Sequence, residues 1–209
     1  MYKKSNSIFS CFILLFLVSQ SLTAQQTKKM QAKAYFASGC FWCVEAVFES
    51  VNGVGDVVSG YAGGTESNPT YNEVASGNTS HAEAVMVPYD PSVVSFETLV
   101  VVFFGSHDPT SLNRQGPDRG AQYRSIAFYN NEEEKATIDK YVNFLKTEKV
   151  YNKPISTQIV PFKKFYNAED YHQDYEVKNP NNPYIRSVSI PRLKRFKAAF
   201  PKLLKENKH

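Results

Sequence analysis

Residues 32–53 read AKAYFASGCFWCVEAVFESVNG, and their reading decides the fold. The first seven alternate apolar with small or polar side chains, the period of a half-buried strand. From residue 40 the period changes. Val44, Val47, Phe48 and Val51 fall on one helical face, and Gly53 follows where a helix would end. A strand that runs straight into a helix puts Cys40 at the junction. Helix starts carry free N–H groups and partial positive charge, which favour thiolate over thiol at that position. Cys43 lies one turn later on nearly the same face, within reach of the first sulfur.

The pattern continues outward. Strands are expected over 56–61, 83–89, 123–129 and 156–160, and helices over 95–104, 131–149 and 168–176. The helix over 131–149 has the clearest start: Asn131 can cap it, Glu134 sits three later, and acids crowd its first turn. Residues 63–80 and 106–120, rich in Gly, Asn, Asp, Ser and Pro, read as long surface loops, and loops of that length in a compact domain often carry function. The mixed succession of strands and helices implies an α+β chain. Its expected form is a two-layer α/β sandwich with a mixed sheet and helices packed on it, a ferredoxin-like plait with extensions.

The ends read differently. Lys3 and Lys4, the apolar run 8–18 and the small residues before Ala24 have the layout of a signal peptide over 1–24, and an exported protein is expected, with an uncleaved anchor as the alternative. Residues 25–32 read as a short linker, 33–190 as the catalytic domain and 191–209 as a basic C-terminal helix or tail. Leu193, Phe196, Phe200 and Leu203 recur at helical spacing in that tail, so docking on its own domain is expected rather than binding to a membrane surface.

Composition narrows the function. Hydrophobic residues make up 42% of the chain, enough for a sizeable core. The net charge of +4 falls to +2 without Lys3 and Lys4, too little to argue for nucleic acid. Without Cys11 the chain keeps two cysteines, Cys40 and Cys43. A disulfide across two residues restrains an unfolded chain very little, so redox chemistry explains the pair better than a staple. Zinc would want four ligands, and His81, His107, His172 and His209 lack metal-like spacing. A thioredoxin-like pair normally encloses small residues or proline; here Phe41 and Trp42 stand between the sulfurs.

At GCFWC (39–43) the sequence resembles the A class of peptide methionine sulfoxide reductases. VEAVFESVNGV (44–54), GYAGG (60–64), NPTYNEVASGNTSHAEAV (68–85), YDP (89–91), HDPT (107–110) and RQGPDRGAQYRS (114–125) carry the resemblance across most of the chain from about residue 34 to 180. It implies thiol-based reduction of the S epimer of methionine sulfoxide, free or in proteins and peptides, with no metal or organic cofactor. By resemblance Cys40 is the nucleophile and Phe41 and Trp42 hold the substrate's methyl group. Glu83 is the acid that protonates the sulfoxide oxygen, Tyr71 and Tyr123 bond that oxygen, and Asp118 supports the substrate site. His81 and His107 are expected to make packing or turn contacts only.

One departure stands out. Many members resolve the oxidised cysteine with another near the C-terminus, but KNPNNPYIRSVSIPRL (178–193) has none, so Cys43 is expected to resolve Cys40. A thioredoxin-like donor would then restore the dithiol. The remaining expectations are a monomer with no nucleic-acid partner and no stable membrane partner. Two other readings fit the pair less well: a thioredoxin-like thiol–disulfide oxidoreductase using Cys40 and Cys43, and a non-catalytic module that binds methionine-like side chains.

Overall fold

The computed structural model describes residues 32–206. The expected signal peptide, all of the linker but its last residue, and the last three residues of the tail lie outside them. The opening stretch folds as its two periods imply: strand β1 (Ala32–Ser38) leads through Gly39 and Cys40 into helix α1 (Phe41–Glu49). The chain continues as β2 (Val58–Ala62), α2 (Tyr71–Ala75), β3 (Ala82–Tyr89) and α3 (Phe96–Gly105). A two-strand hairpin follows, β4 (Arg114–Gln115) and β5 (Asp118–Arg119), then β6 (Ser125–Tyr129), α4 (Glu132–Thr147), β7 (Gln158–Pro161) and β8 (Phe165–Asn167). The C-terminal part holds α5 (Tyr175–Lys178), a π-helical turn over Ile185–Ser189 and α6 (Ile190–Ala199).

The main sheet has the order β7-β6-β1-β3-β2-β8. Its four central strands are antiparallel neighbours in the order of a ferredoxin-like plait, and β7 joins β6 in parallel, so the sheet is mixed. Phe36 from β1 stacks on Phe48 of α1 and Phe103 of α3, with ring centroids 5.1 and 5.0 Å apart. These contacts tie both helices to the middle of one sheet face. The other face carries a smaller cluster in which Tyr35 stacks on Phe162 at 3.7 Å.

Local chemistry sets the helix starts. The Asn131 side chain accepts the Glu134 N–H at 2.9 Å, and the Glu134 carboxylate accepts the Asn130 N–H at 2.7 Å, close to the expected capping pattern. Ser95 caps α3 in the same way through the Thr98 N–H. The basic tail docks: Phe196 is buried, and Leu193, Phe200 and Leu203 pack against the same core as α1. Among the described residues, no helix is long and apolar enough to cross a membrane.

Three segments differ from the sequence reading. The loop over 63–80 contains α2, closed by a capping box between Thr70 and Glu73. The helix expected over 168–176 is a 3-10 turn (Asp170–His172) and then α5. Asp174 breaks it with φ +54°, its N–H drawn to Glu45 Oε1 at 2.5 Å. Tyr123 belongs to a 3-10 turn (Ala121–Tyr123) rather than to β6; Gly120 at φ +132° allows the turn, and Gln122 ties it to the Ala75 carbonyl at 2.9 Å. That bond links the two long loops.

Candidate functional site

The site forms where β1 ends. Gly39 has φ +93°, and a Cβ there would lie 2.6 Å from Gln115 Cβ, so the tight turn needs glycine. The turn delivers Cys40 as the N-cap of α1. Both cysteines are free and buried. The first N–H of the helix, from Phe41, donates to Glu83 Oε2 at 3.0 Å across the sheet from β3. Glu83 is only 2% exposed, and burial lifts its pKa to about 8, against the pull of the Phe41 bond. It is therefore mostly a neutral acid at pH 7, beside the nucleophile's own backbone.

The two sulfurs divide charge unevenly. Burial, the hydrogen bond shared with Cys43 and the Glu83 carboxyl all hold the Cys40 thiol up. Cys43 is brought down to about 6, first by the bond from Cys40, then, against burial, by Arg192, Ser189 and Tyr184. The expectation from the helix start was an ionised Cys40. Burial works against a thiolate on Cys40, while the Arg192 cation favours one on Cys43. Glu83 has taken the first helix N–H, and the cation that reaches the pair, Arg192, lowers Cys43.

Rings enclose one side. Phe41 is fully buried, with centroids 6.4 Å from Tyr71 and 6.0 Å from Tyr61. Trp42 is half-buried and stacks on Tyr175 at 3.8 Å and 8°. Burial, Glu83 and Cys40 raise the Tyr71 hydroxyl to about 12 and the Tyr123 hydroxyl further still, so both stay protonated donors. The sequence-predicted residues Cys40, Phe41, Trp42, Tyr71, Glu83 and Tyr123 therefore share one cluster. Asp118 joins them through Tyr184: its Oδ2 accepts the Tyr184 hydroxyl at 2.6 Å, that hydroxyl is 3.8 Å from Cys43 Sγ, and the Tyr184 ring meets Trp42 edge-on. It holds a tyrosine that touches both the second sulfur and the Trp42 ring.

His81 and His107 make the turn contacts expected of them. His81 bonds the Gly64 N–H and the Glu66 carbonyl, and His107 bonds the Phe103 carbonyl and the Ser125 hydroxyl. Sequence reasoning missed Tyr184, Ser189, Arg192 and His172. Arg192 is buried beneath the turn, donating to the carbonyls of Ser38 and Ser106 and to the Ser38 hydroxyl. Its signal in the sequence, one arginine in the basic run PRLKRFK, resembles any solvated charge. Among the described residues, Glu45, Glu49 and Asp174 could hold a cation, with ligand oxygens within 4.8 Å of one another. Glu45 already accepts from the Ser59 hydroxyl and the Asp174 N–H, and burial lifts it to about 7.

A buried dithiol beside a protonated carboxyl and two hydroxyl donors is equipped to take an oxygen atom from a substrate and release it as water. Fold and site together define a thiol-dependent oxidoreductase. Residues 32–204 match the family described as peptide methionine sulfoxide reductase, and the chain belongs to that family. It is 48% identical over 171 residues to the peptide methionine sulfoxide reductase MsrA of Natronomonas pharaonis, covering 82% of this chain and 96% of that one. It is 50% identical over 175 residues to MsrA 1 of Rhodopirellula baltica, covering 84% and 90%. Among solved structures, reduced Mxr1 from Saccharomyces cerevisiae superposes with a TM-score of 0.67 at 38% identity, covering 72% of this chain and 87% of that one.

Proposed function

We propose that this enzyme reduces the S epimer of methionine sulfoxide in proteins and peptides, and as the free amino acid, with Cys40 as nucleophile, Glu83 as acid and Cys43 as resolving thiol. Cys40 gives its proton to the Cys43 thiolate and attacks the sulfoxide sulfur. Glu83 protonates the oxygen, since oxide cannot leave sulfur unprotonated near neutral pH, and Tyr71 and Tyr123 bond the oxygen as its charge develops. Phe41 and Trp42 take the methyl group, which matches an apolar end next to a polar S=O. The protonated oxygen then passes from the substrate sulfur to Cys40 Sγ as the new S–S bond and the S–O bond break. Methionine leaves as the thioether, and Cys40 is left as a sulfenic acid. Cys43 then attacks it, forming the Cys40–Cys43 disulfide and releasing water. The balance is one sulfoxide and one dithiol in, one thioether, one disulfide and one water out.

A thioredoxin-like dithiol returns the disulfide to its reduced form by exchange. A monomer suffices for this chemistry, since one chain supplies each group named here. Export is proposed from the sequence of residues 1–24, with Lys3, Lys4 and the apolar run as its support.

The observation that carries this reading is the neutral, buried Glu83 bonded to the N–H that follows Cys40. The test is steady-state reduction of a peptide bearing the S sulfoxide, with dithiothreitol as donor. Turnover in the wild type and none in Cys40→Ser is expected. Insulin-disulfide reduction without sulfoxide turnover would mean a thiol–disulfide oxidoreductase instead.

A further inference from the structure

The Trp42 indole is held on three sides. Tyr175 stacks on its face at 3.8 Å, Tyr184 meets it edge-on at 6.0 Å and 74°, and its Nε1–H donates to His172 Nδ1 at 3.1 Å. His172 is 1% exposed and packs on two further site rings, 4.3 Å from Tyr71 and 5.0 Å from Phe41 by centroid. It thus touches three of the groups assigned above to the substrate.

The protonation state follows from donor arithmetic. An indole N–H only donates, so His172 Nδ1 accepts and the ring proton sits on Nε2. Nε2 is buried and has no hydrogen-bond partner; the nearest carboxylate oxygen, Glu169 Oε2, is 4.0 Å away. That oxygen already accepts the Tyr61 hydroxyl at 2.7 Å, while Glu169 Oε1 accepts the Tyr71 N–H at 2.9 Å.

The backbone around it is pinned. The His172 N–H bonds the Glu169 carbonyl at 2.9 Å, and the next residue, Gln173, ties the segment to β2 through the Ser59 N–H at 2.9 Å and the Ser59 carbonyl at 3.0 Å. Glu169, Tyr71 and Tyr171 face the ring. Burial keeps the imidazole neutral against the pull of Glu169.

We propose that His172 is a positioning residue for the substrate pocket: its neutral ring locks the Trp42 indole as a wall against the substrate's methyl group and so sets which alkyl sulfoxide the enzyme accepts. The proposal rests on the reading of Phe41 and Trp42 as methyl-binding rings. A pocket walled by a fixed indole admits methyl and crowds ethyl; a released indole tolerates both.

The test compares His172→Leu, which removes the acceptor, with His172→Asn, whose Oδ1 lies near the place of Nδ1. Trp42 is the only tryptophan in the chain, so emission reports this ring alone. In His172→Leu the emission shifts, and KM for the methionine sulfoxide peptide rises about tenfold, the scale of one lost hydrogen bond, with kcat changing less. The preference for methionine over ethionine sulfoxide narrows by a similar factor. His172→Asn restores all three. If His172→Leu does not fold, His172→Gln takes its place, because its amide cannot reach the Nδ1 position. A folded His172→Leu with wild-type emission and preference would overturn the proposal, as would His172→Asn behaving like leucine. Should the wild type reduce no sulfoxide, the functional reading fails, while emission still decides the lock.

Discussion

The two sulfurs sit three residues apart at the start of one helix, yet different parts of the chain dominate their surroundings, with Tyr184 reaching both. Cys40 faces β3 and the two long loops, which bring a carboxyl and tyrosine hydroxyls. Cys43 faces the C-terminal segment, which brings Tyr184, Ser189 and the Arg192 guanidinium. In the proposed mechanism the first environment donates protons to an oxygen, while the second favours a thiolate. The two thiols are thereby pushed in opposite directions, Cys40 up by burial and Cys43 down by its neighbours. Catalytic division of labour here depends on which segment covers which turn of α1.

The largest effect short of removing Cys40 belongs to Glu83. Glu83→Gln keeps an acceptor for the Phe41 N–H but has no proton to give, so kcat/KM falls by about 10²- to 10⁴-fold. In the wild type, activity declines on the alkaline side near pH 8 as Glu83 ionises, and on the acid side near pH 6 as Cys43 gains its proton. The alkaline limb near pH 8 disappears in the variant. Stability moves the other way. The native pKa of Glu83 lies above the ordinary 4.5, so its contribution is fully present below 4.5 and is lost as pH rises to about 8. Thermal melts at pH 9 are therefore expected to show Glu83→Gln more stable than the wild type.

Breaking the other environment gives smaller changes. Cys43→Ser still makes about one methionine per enzyme in a first turnover, but its recycling by a thioredoxin system fails, while dithiothreitol sustains slow turnover. Arg192→Met moves the acid limb to higher pH, because Cys43 loses its cation, and costs about 1–3 kcal/mol through orphaned carbonyls, read by urea unfolding. As a reference far from both sulfurs, Asn131→Ala uncaps α4, lowers stability by about 1 kcal/mol and leaves the pH profile unchanged.

The part of this comparison on the Cys40 side was legible in the sequence. The change of period at residue 40 gave the strand, the helix and the junction, because both signals rest on side chains facing one core. Glu83, Tyr71 and Tyr123 needed the family resemblance, since a strand carboxylate and two of thirteen tyrosines carry no signal of their own. The Cys43 side was illegible. Tyr184 follows a stretch whose prolines and asparagines read as irregular, yet the Asn182 side chain accepts the Tyr184 N–H at 2.9 Å and starts the π-helical turn. Arg192 points inward from a helix whose other cations look the same in sequence. His172 falls in a helix expectation that Asp174 breaks, its N–H donated to the Glu45 carboxylate across the fold, a tertiary bond invisible to local pattern.

The most direct measurement is a single turnover of fully reduced protein with excess S-sulfoxide peptide and no external reductant, followed by mass spectrometry. The account predicts one methionine per protein and a Cys40–Cys43 disulfide. Unreduced peptide, or a lasting sulfenic acid on Cys40 with Cys43 still a free thiol, would contradict it.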